Sequence, residues 1–277
     1  METQTFETIE AGKLTLQVYT AAETSFGVAS VIISGPSETI LVDAQFTRAD
    51  AEKIAEQIKA SGKRLTTIYI SHGDPDYYFG LEALKRYYPE VTAYATADTV
   101  DHIKATAQKK LDVWSEKLNN AITSNIVLPQ LLKQNTFTVD GEQLEITGVS
   151  TLPGRTFVWM PGIKAVLGGV NVFGTTFHPW MADAQTSEAR LAWISVLEKI
   201  ESLTPDTVIP AHAKSGTPFD LKAVLHTKEY IKFYDEALKT NKTSEALIHT
   251  LKSKYPQLTF DTALQIGAKV NTGEMKW

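Results

Sequence analysis

Ser71-His72-Gly73-Asp74-Pro75-Asp76-Tyr77-Tyr78-Phe79-Gly80 sets an imidazole, two carboxylates and two phenols directly after an apolar run. That run, Leu65-Thr66-Thr67-Ile68-Tyr69-Ile70, has the β-branched and aromatic content of a buried strand. Gly73, Pro75 and Gly80 deny the residues after it a regular structure. The polar side chains are therefore expected on a loop at the carboxyl end of a strand. α/β folds place their chemistry there, because the strand fixes position while the loop carries the functional groups.

On the amino-terminal side, residues 5–19 alternate like a hairpin turning at Ala11-Gly12, and short strands are expected over 29–34 and 39–44 around Gly35-Pro36. Helical spacing over 48–60, with Ala51, Ile54 and Ile58 on one side, stops at Ser61-Gly62. Beyond the loop, the pattern predicts a short helix over 79–88, a strand over 91–95 and a long helix over 97–118. The charges of that long, Lys-bearing helix are mixed in sign, so it reads as a solvated face or lid support. A polar stretch around Asn119 to Asn125 follows. Hairpins are expected about Asp140-Gly141 and Pro161-Gly162, then an amphipathic helix over 187–203, a strand over 206–210 and mostly helix to Trp277. Two strand groups among helices, with no repeat and no linker, predict one domain over residues 1–277, its helices from about 218 forming an extension.

Composition narrows the classes. A chain of 277 residues with 43% hydrophobic content can fill a layered core. The formal net charge of -5, without a basic run, argues against nucleic acid or an anionic membrane as partner and leaves a small-molecule substrate. Cysteine is absent, which excludes disulfides, thiol catalysis and cysteine-bound zinc; a metal would have to use imidazole and carboxylate. Residues 1–10 are polar and lack the basic start and apolar middle of a secretory signal, so the expected location is cytoplasmic. A secreted chain already trimmed of its signal would read the same way. No apolar stretch reaches the roughly 18 residues of a membrane span. The apolar carboxyl-terminal helices are available to cover the site or to meet a second subunit, which makes a homo-oligomer compatible with the sequence.

Five segments occur in a familiar order: Val42-Asp43; Ser71 to Tyr77; Leu152-Pro153-Gly154-Arg155-Thr156; Gly168-Gly169-Val170; and Val208-Ile209-Pro210-Ala211-His212. Over residues 40 to 212 this series resembles the metallo-β-lactamase superfamily. The resemblance implies a four-layer αββα sandwich and a metal-dependent hydrolase. It also implies a divergent site. Against the family's His-x-His-x-Asp-His loop, this chain has His72, Asp74, Asp76 and Tyr77. The family's Pro-Gly-His matches Pro153-Gly154-Arg155, its bridging Gly-Asp matches Gly169-Val170, and only the final histidine is retained, as His212.

These departures have a physical pattern. The first metal position has His72, Asp74 and Arg155, and a guanidinium has donors only, so it cannot ligate a cation. Arg155 is therefore expected in the place of the first metal, paired with Asp74 as a charge-assisted bidentate couple. The second position has Asp76, Tyr77 and His212. A single centre of His72, Asp74, Asp76 and His212 would suit zinc, manganese or iron, or the site would hold no ion at all. With a metal, bound hydroxide would attack an ester, lactone, thioester or amide, Asp76 orienting the water and Tyr77 or Tyr78 stabilising the oxyanion. Without one, the alternative is a weak or inactive relative that binds a small anionic ligand or a protein partner through Arg155 and the acidic loop. β-Lactam hydrolysis is not expected, since the imidazoles that present the hydroxide are largely replaced.

Other residues have plainer readings. Asp43 ends a strand and is expected to orient the site loop by hydrogen bonding. Asp76 could cap the helix near Phe79. His178 beside Trp180 reads as part of a packed loop, with Asp183 similarly placed, while His102, His226 and His249 lie in charged helical stretches and read as solvated surface. Trp114, Trp159 and Trp193 fall at core-facing spacings and read as packing.

Overall fold

The structure, a computed structural model, describes residues 5–118, 121–151 and 154–277. Leu152 and Pro153 of the arginine segment, with Asn119 and Asn120 of the polar stretch, lie outside these. Strands β1 (Phe6–Ala11), β2 (Leu14–Thr20), β3 (Ala29–Ser34) and β4 (Glu38–Val42) form an antiparallel meander. Helix α1 (Arg48–Ser61) leads to β5 (Arg64–Tyr69), which pairs parallel to β4. Thr47 caps α1 through Asp50 N–H at 3.2 Å, and Gly62 ends it at φ 68°, a conformation open to glycine.

The acidic loop then winds into a single turn, α2 (Pro75–Tyr78), followed by α3 (Leu81–Tyr87), β6 (Thr92–Ala95), α4 (Ala97–Lys117) and β7 (Gln130–Leu131), which completes a seven-stranded sheet. The second sheet has five strands. They are β8 (Thr136–Val139), β9 (Glu142–Thr147), β10 (Phe157–Met160), β11 (Ala165–Leu167) and β12 (Thr207–Val208), with α5 (Ser187–Ser202) leading into the last. Helices α6 (Lys222–Thr240), α7 (Ser244–Lys254) and α8 (Asp261–Asn271) follow.

The period-two pattern of the strands explains the layering. Leu14, Leu16 and Val18 of β2, Val31 and Ile33 of β3, and Ile40 and Val42 of β4 share one apolar cluster with Leu144, Val158, Met160, Ala165 and Leu167 of the second sheet. Their neighbours on the opposite faces, among them Ile32, Leu41, Ile68, Phe157 and Val166, belong to the cluster that holds Ile54 and Ile58 of α1 and Trp193 and Leu197 of α5. Each sheet thus has one face toward the other sheet and one toward helices, the αββα sandwich. The expected hairpins and helices are present, with boundaries moved by a few residues. The strand expected over 206–210 is shorter, because Pro210 has no N–H for a ladder.

His178 lies in a packed loop, as expected. It is fully buried and its Nδ1 meets the Tyr230 hydroxyl at 3.0 Å. Burial pushes its pKa down to about 4. An unfolded chain takes up a proton at His178 as pH falls below about 6.5 and the folded chain does not, so stability is full above that range and is lost on acidification toward 4. The slope reaches at most about 1.4 kcal/mol per pH unit for this one group. We expect His178→Asn, which keeps an acceptor for Tyr230, to flatten urea-unfolding stability between pH 6.5 and 4.5; an unchanged slope would assign the acid sensitivity to other groups.

Candidate active site

The site forms where the carboxyl ends of β4 and β5 meet the segment after β11. Asp43 follows β4 at φ 65°, in the left-handed region, and is 2% exposed. Its carboxylate accepts from Ser71 N–H at 2.7 Å and from Ser71 Oγ at 2.6 Å. Ser71 Oγ in turn accepts from Gly169 N–H at 2.7 Å. Gly169 stands at φ 71°, and a Cβ there would lie 2.0 Å from the Thr156 carbonyl, so only glycine fits this crossing. Burial raises the Asp43 pKa to about 7 against the lowering effect of the two Ser71 bonds. Asp43 thus orients the loop, as the sequence suggested.

Asp76 and Tyr77 lie in α2 and are both buried. The helix begins at Pro75 with Asp74 in the capping position, so Asp76 is inside the turn and does not cap it. Opposite them, His212 is held by its backbone between Val28 and Phe173, with Gly174 N–H donating to its carbonyl at 2.7 Å. Phe173 stacks on the imidazole at 5.0 Å, and Phe260 from the start of α8 at 6.2 Å. The carboxyl-terminal helices therefore border the site.

His212 Nδ1 is 3.0 Å from the Phe26 carbonyl, which can only accept, so Nδ1 carries the proton. Nε2 is then the bare nitrogen, and it accepts the Tyr77 hydroxyl at 2.9 Å. Burial drives the His212 pKa down to about 4. Burial and then the neighbouring Asp76 drive that of Tyr77 well above the ordinary phenol value. Both groups are neutral at physiological pH. Asp76 Oδ2 is 3.8 Å from His212 Nε2, beyond hydrogen-bond length, and burial together with the Asp74 charge pushes Asp76 well above the usual carboxylate range.

Asp74 departs from the sequence reading. Its Oδ1 is 2.6 Å from Lys110 Nζ of α4, and its Oδ2 is 3.3 Å from His72 Nε2. Burial opposes its ionisation, yet His72 and the Lys110 charge hold it well below the usual carboxylate range. Arg155 does not pair with it. The guanidinium Cζ lies over the Trp193 ring, 4.0 Å from its centroid, and among the described residues no carboxylate lies within ion-pair distance of it and its Nη1 has no hydrogen-bond partner. Asn171 Nδ2 holds the segment by bonds of 3.0 Å to both the Arg155 and Thr156 carbonyls, and Trp193 Nε1 donates to the Asn171 carbonyl at 2.9 Å. The expected couple fails because a flexible ammonium on α4 reaches Asp74 first, while the planar guanidinium gains more by stacking.

Of the histidines read as solvated, His102 is exposed as expected, although its Nε2 meets Lys110 Nζ beside the acidic loop, whereas His226 is half-buried, its Nε2 3.0 Å from the Phe177 carbonyl. His249 is exposed. Lys110 and His102 were missed as site residues, and the available signal was their spacing with Thr106 along one face of α4. Trp193 is buried as expected, but it also carries Arg155.

A divalent ion needs deprotonated donors free of other partners. Here His212 Nε2 accepts a phenol, Asp74 Oδ1 carries an ammonium, and Arg155 and Val170 are not ligands. Among the described residues, no group of three or more His, Asp or Glu side chains is placed to hold an ion. The residues present do not fit the metal centre that the resemblance implies.

Removing the Tyr77 hydroxyl would leave a buried imidazole nitrogen without a partner. Tyr77→Phe should therefore lower stability by about 1–3 kcal/mol in urea unfolding; an unaltered midpoint would show that the phenol is not what satisfies His212.

The family model described as metallo-beta-lactamase superfamily matches residues 24–163. Among solved structures, a metallo-beta-lactamase from Pontibacter korlensis aligns at 15% identity, covering 82% of this chain and 99% of its own, with TM-score 0.54. The DIM-1 metallo-beta-lactamase aligns at 19% identity over 83% of this chain and 97% of its own, with TM-score 0.56. IND-7 aligns at 14% over 83% and 100%, with TM-score 0.57. Likeness at such identities speaks for the fold. No curated protein matches the sequence. With half of the chain matched by the family model and the αββα sandwich in place, the chain belongs to the metallo-beta-lactamase superfamily.

Proposed function

We propose that this member of a hydrolase superfamily works without a resident metal ion and binds a small anionic molecule, a carboxylate in the first instance, through Arg155. The carrying observation is the guanidinium itself. It lies over the Trp193 ring, and its Nη1 is buried without a partner among the described residues. Burial lowers its pKa to about 10, only partly offset by the charge of Asp183. A desolvated cation without a counter-ion is costly, and a planar carboxylate or similar anion would complete it through a bidentate pair. Asp183 is not within ion-pair distance of the guanidinium, and its Oδ1 accepts the Trp277 indole N–H at 2.5 Å.

Hydrolysis in the same cleft is the second reading. It is favoured by Asp76, a buried carboxyl that burial and the Asp74 charge push well above the usual carboxylate range, set 3.8 Å from a neutral imidazole. An acid of raised pKa beside a histidine is a proton donor for a leaving group. The metal-dependent cleavage of an ester, lactone, thioester or amide implied by the resemblance competes with both, and metal analysis separates them.

Protein purified without added metal or chelator should carry less than about a tenth of an equivalent of zinc, manganese or iron per chain. Near-stoichiometric metal would overturn the proposal. Benzoate should raise the melting temperature of the native protein by a few degrees as it saturates the site. Arg155→Met should lose that response and melt higher than the native protein without ligand, because it removes an unpaired buried charge.

A further inference from the structure

The Lys110 ammonium has the surroundings of a bound cation. Its Nζ lies 2.6 Å from Asp74 Oδ1, 2.9 Å from His102 Nε2 and 3.4 Å from the Gly73 carbonyl. An ammonium has three N–H donors and no acceptor, so each donor has an acceptor here. His102 must therefore present a bare Nε2 to Lys110 and carry its proton on Nδ1. The lysine side chain is 22% exposed, unusually little for its type.

The loop and the helix are shaped for this contact. Residues 102, 106 and 110 follow one face of α4, which packs against α2. At Gly73, a Cβ would fall 2.7 Å from His102 Cδ2, so glycine is what lets the imidazole approach. The other oxygen of Asp74 faces His72 at 3.3 Å. One carboxylate is thus shared between a lysine and an imidazole, inside the segment that matches the superfamily's metal-binding loop.

We propose that Lys110 is the resident cation of the acidic loop: its tethered ammonium holds Asp74 in place and occupies the donor atoms of Asp74 and His102 that a divalent ion would need. The assignment rests on the metal-independent reading above and deepens it. Lys110 is a positioning residue, acting on the site through Asp74. Once it is removed, Asp74, His102 and His72 lose their tethered counter-cation, and an external ion that takes its place must draw these side chains into a geometry the native loop does not hold.

The test is cobalt(II) titration of the native protein and of Lys110→Met, followed by visible absorption, with circular dichroism to confirm that each is folded. Lys110→Met should bind cobalt at least about tenfold more tightly than the native protein, and added zinc should raise its melting temperature but not that of the native protein. Lys110→Gln serves if the methionine variant does not fold. Equal, weak cobalt binding by the native protein and the variant would overturn the Lys110 assignment while leaving the metal-independent reading standing. Stoichiometric, tight metal in the native protein would overturn both.

Discussion

The site depends on one hydrogen-bonded crossing, in which the Asp43 carboxylate holds Ser71 by N–H and hydroxyl and the same hydroxyl receives the Gly169 N–H. Asp43 and Ser71 end adjacent parallel strands of the seven-stranded sheet, and Gly169 follows a strand of the other sheet. The three residues are buried or in close contact with buried backbone, so no water competes for these bonds. They fix where the loop departs and how near the arginine segment comes to it. Asp43 accepts a left-handed backbone to do so, local strain of the kind that folds retain where position matters more than stability.

Around that crossing, His72, Asp74, Tyr77 and His212 have acquired internal partners, whereas Asp76 stands beyond hydrogen-bond length of His212 and Arg155 has a polar edge without a partner among the described residues. His212 is closed on both nitrogens, by a carbonyl and a phenol. Asp74 is neutralised by α4. Arg155 has aromatic support and backbone anchoring but an open polar edge. Satisfied buried groups make a rigid floor, and the unsatisfied one marks where something else is to bind.

Much of this was legible from the chain. The apolar run to Ile70, the turn residues after it and the alternation of the hairpins are local signals, and the layers follow from them. Asp43 as loop support and His178 as a packed residue were also readable, because a strand end and an aromatic neighbour limit what a side chain can do. The pairing of charges was not. Asp74 had two cations within reach of the fold, and charge alone cannot choose between Arg155 and a lysine 36 residues away on a helix. Shape decided it: the guanidinium has a flat face that Trp193 covers, whereas the ammonium needs three acceptors in a tripod. His226 was misjudged for a related reason. A charged helical stretch describes the average face of a helix, and His226 lies toward a loop that only tertiary packing brings near.

The ammonium beside Asp74 differs from an ion in where it comes from. It is made with the chain, arrives at its carboxylate through folding and is not exchanged with the medium. A chelator cannot extract it, and a shortage of trace elements cannot empty it. The charge balance that this ammonium gives the acidic loop is as heritable as the rest of the sequence.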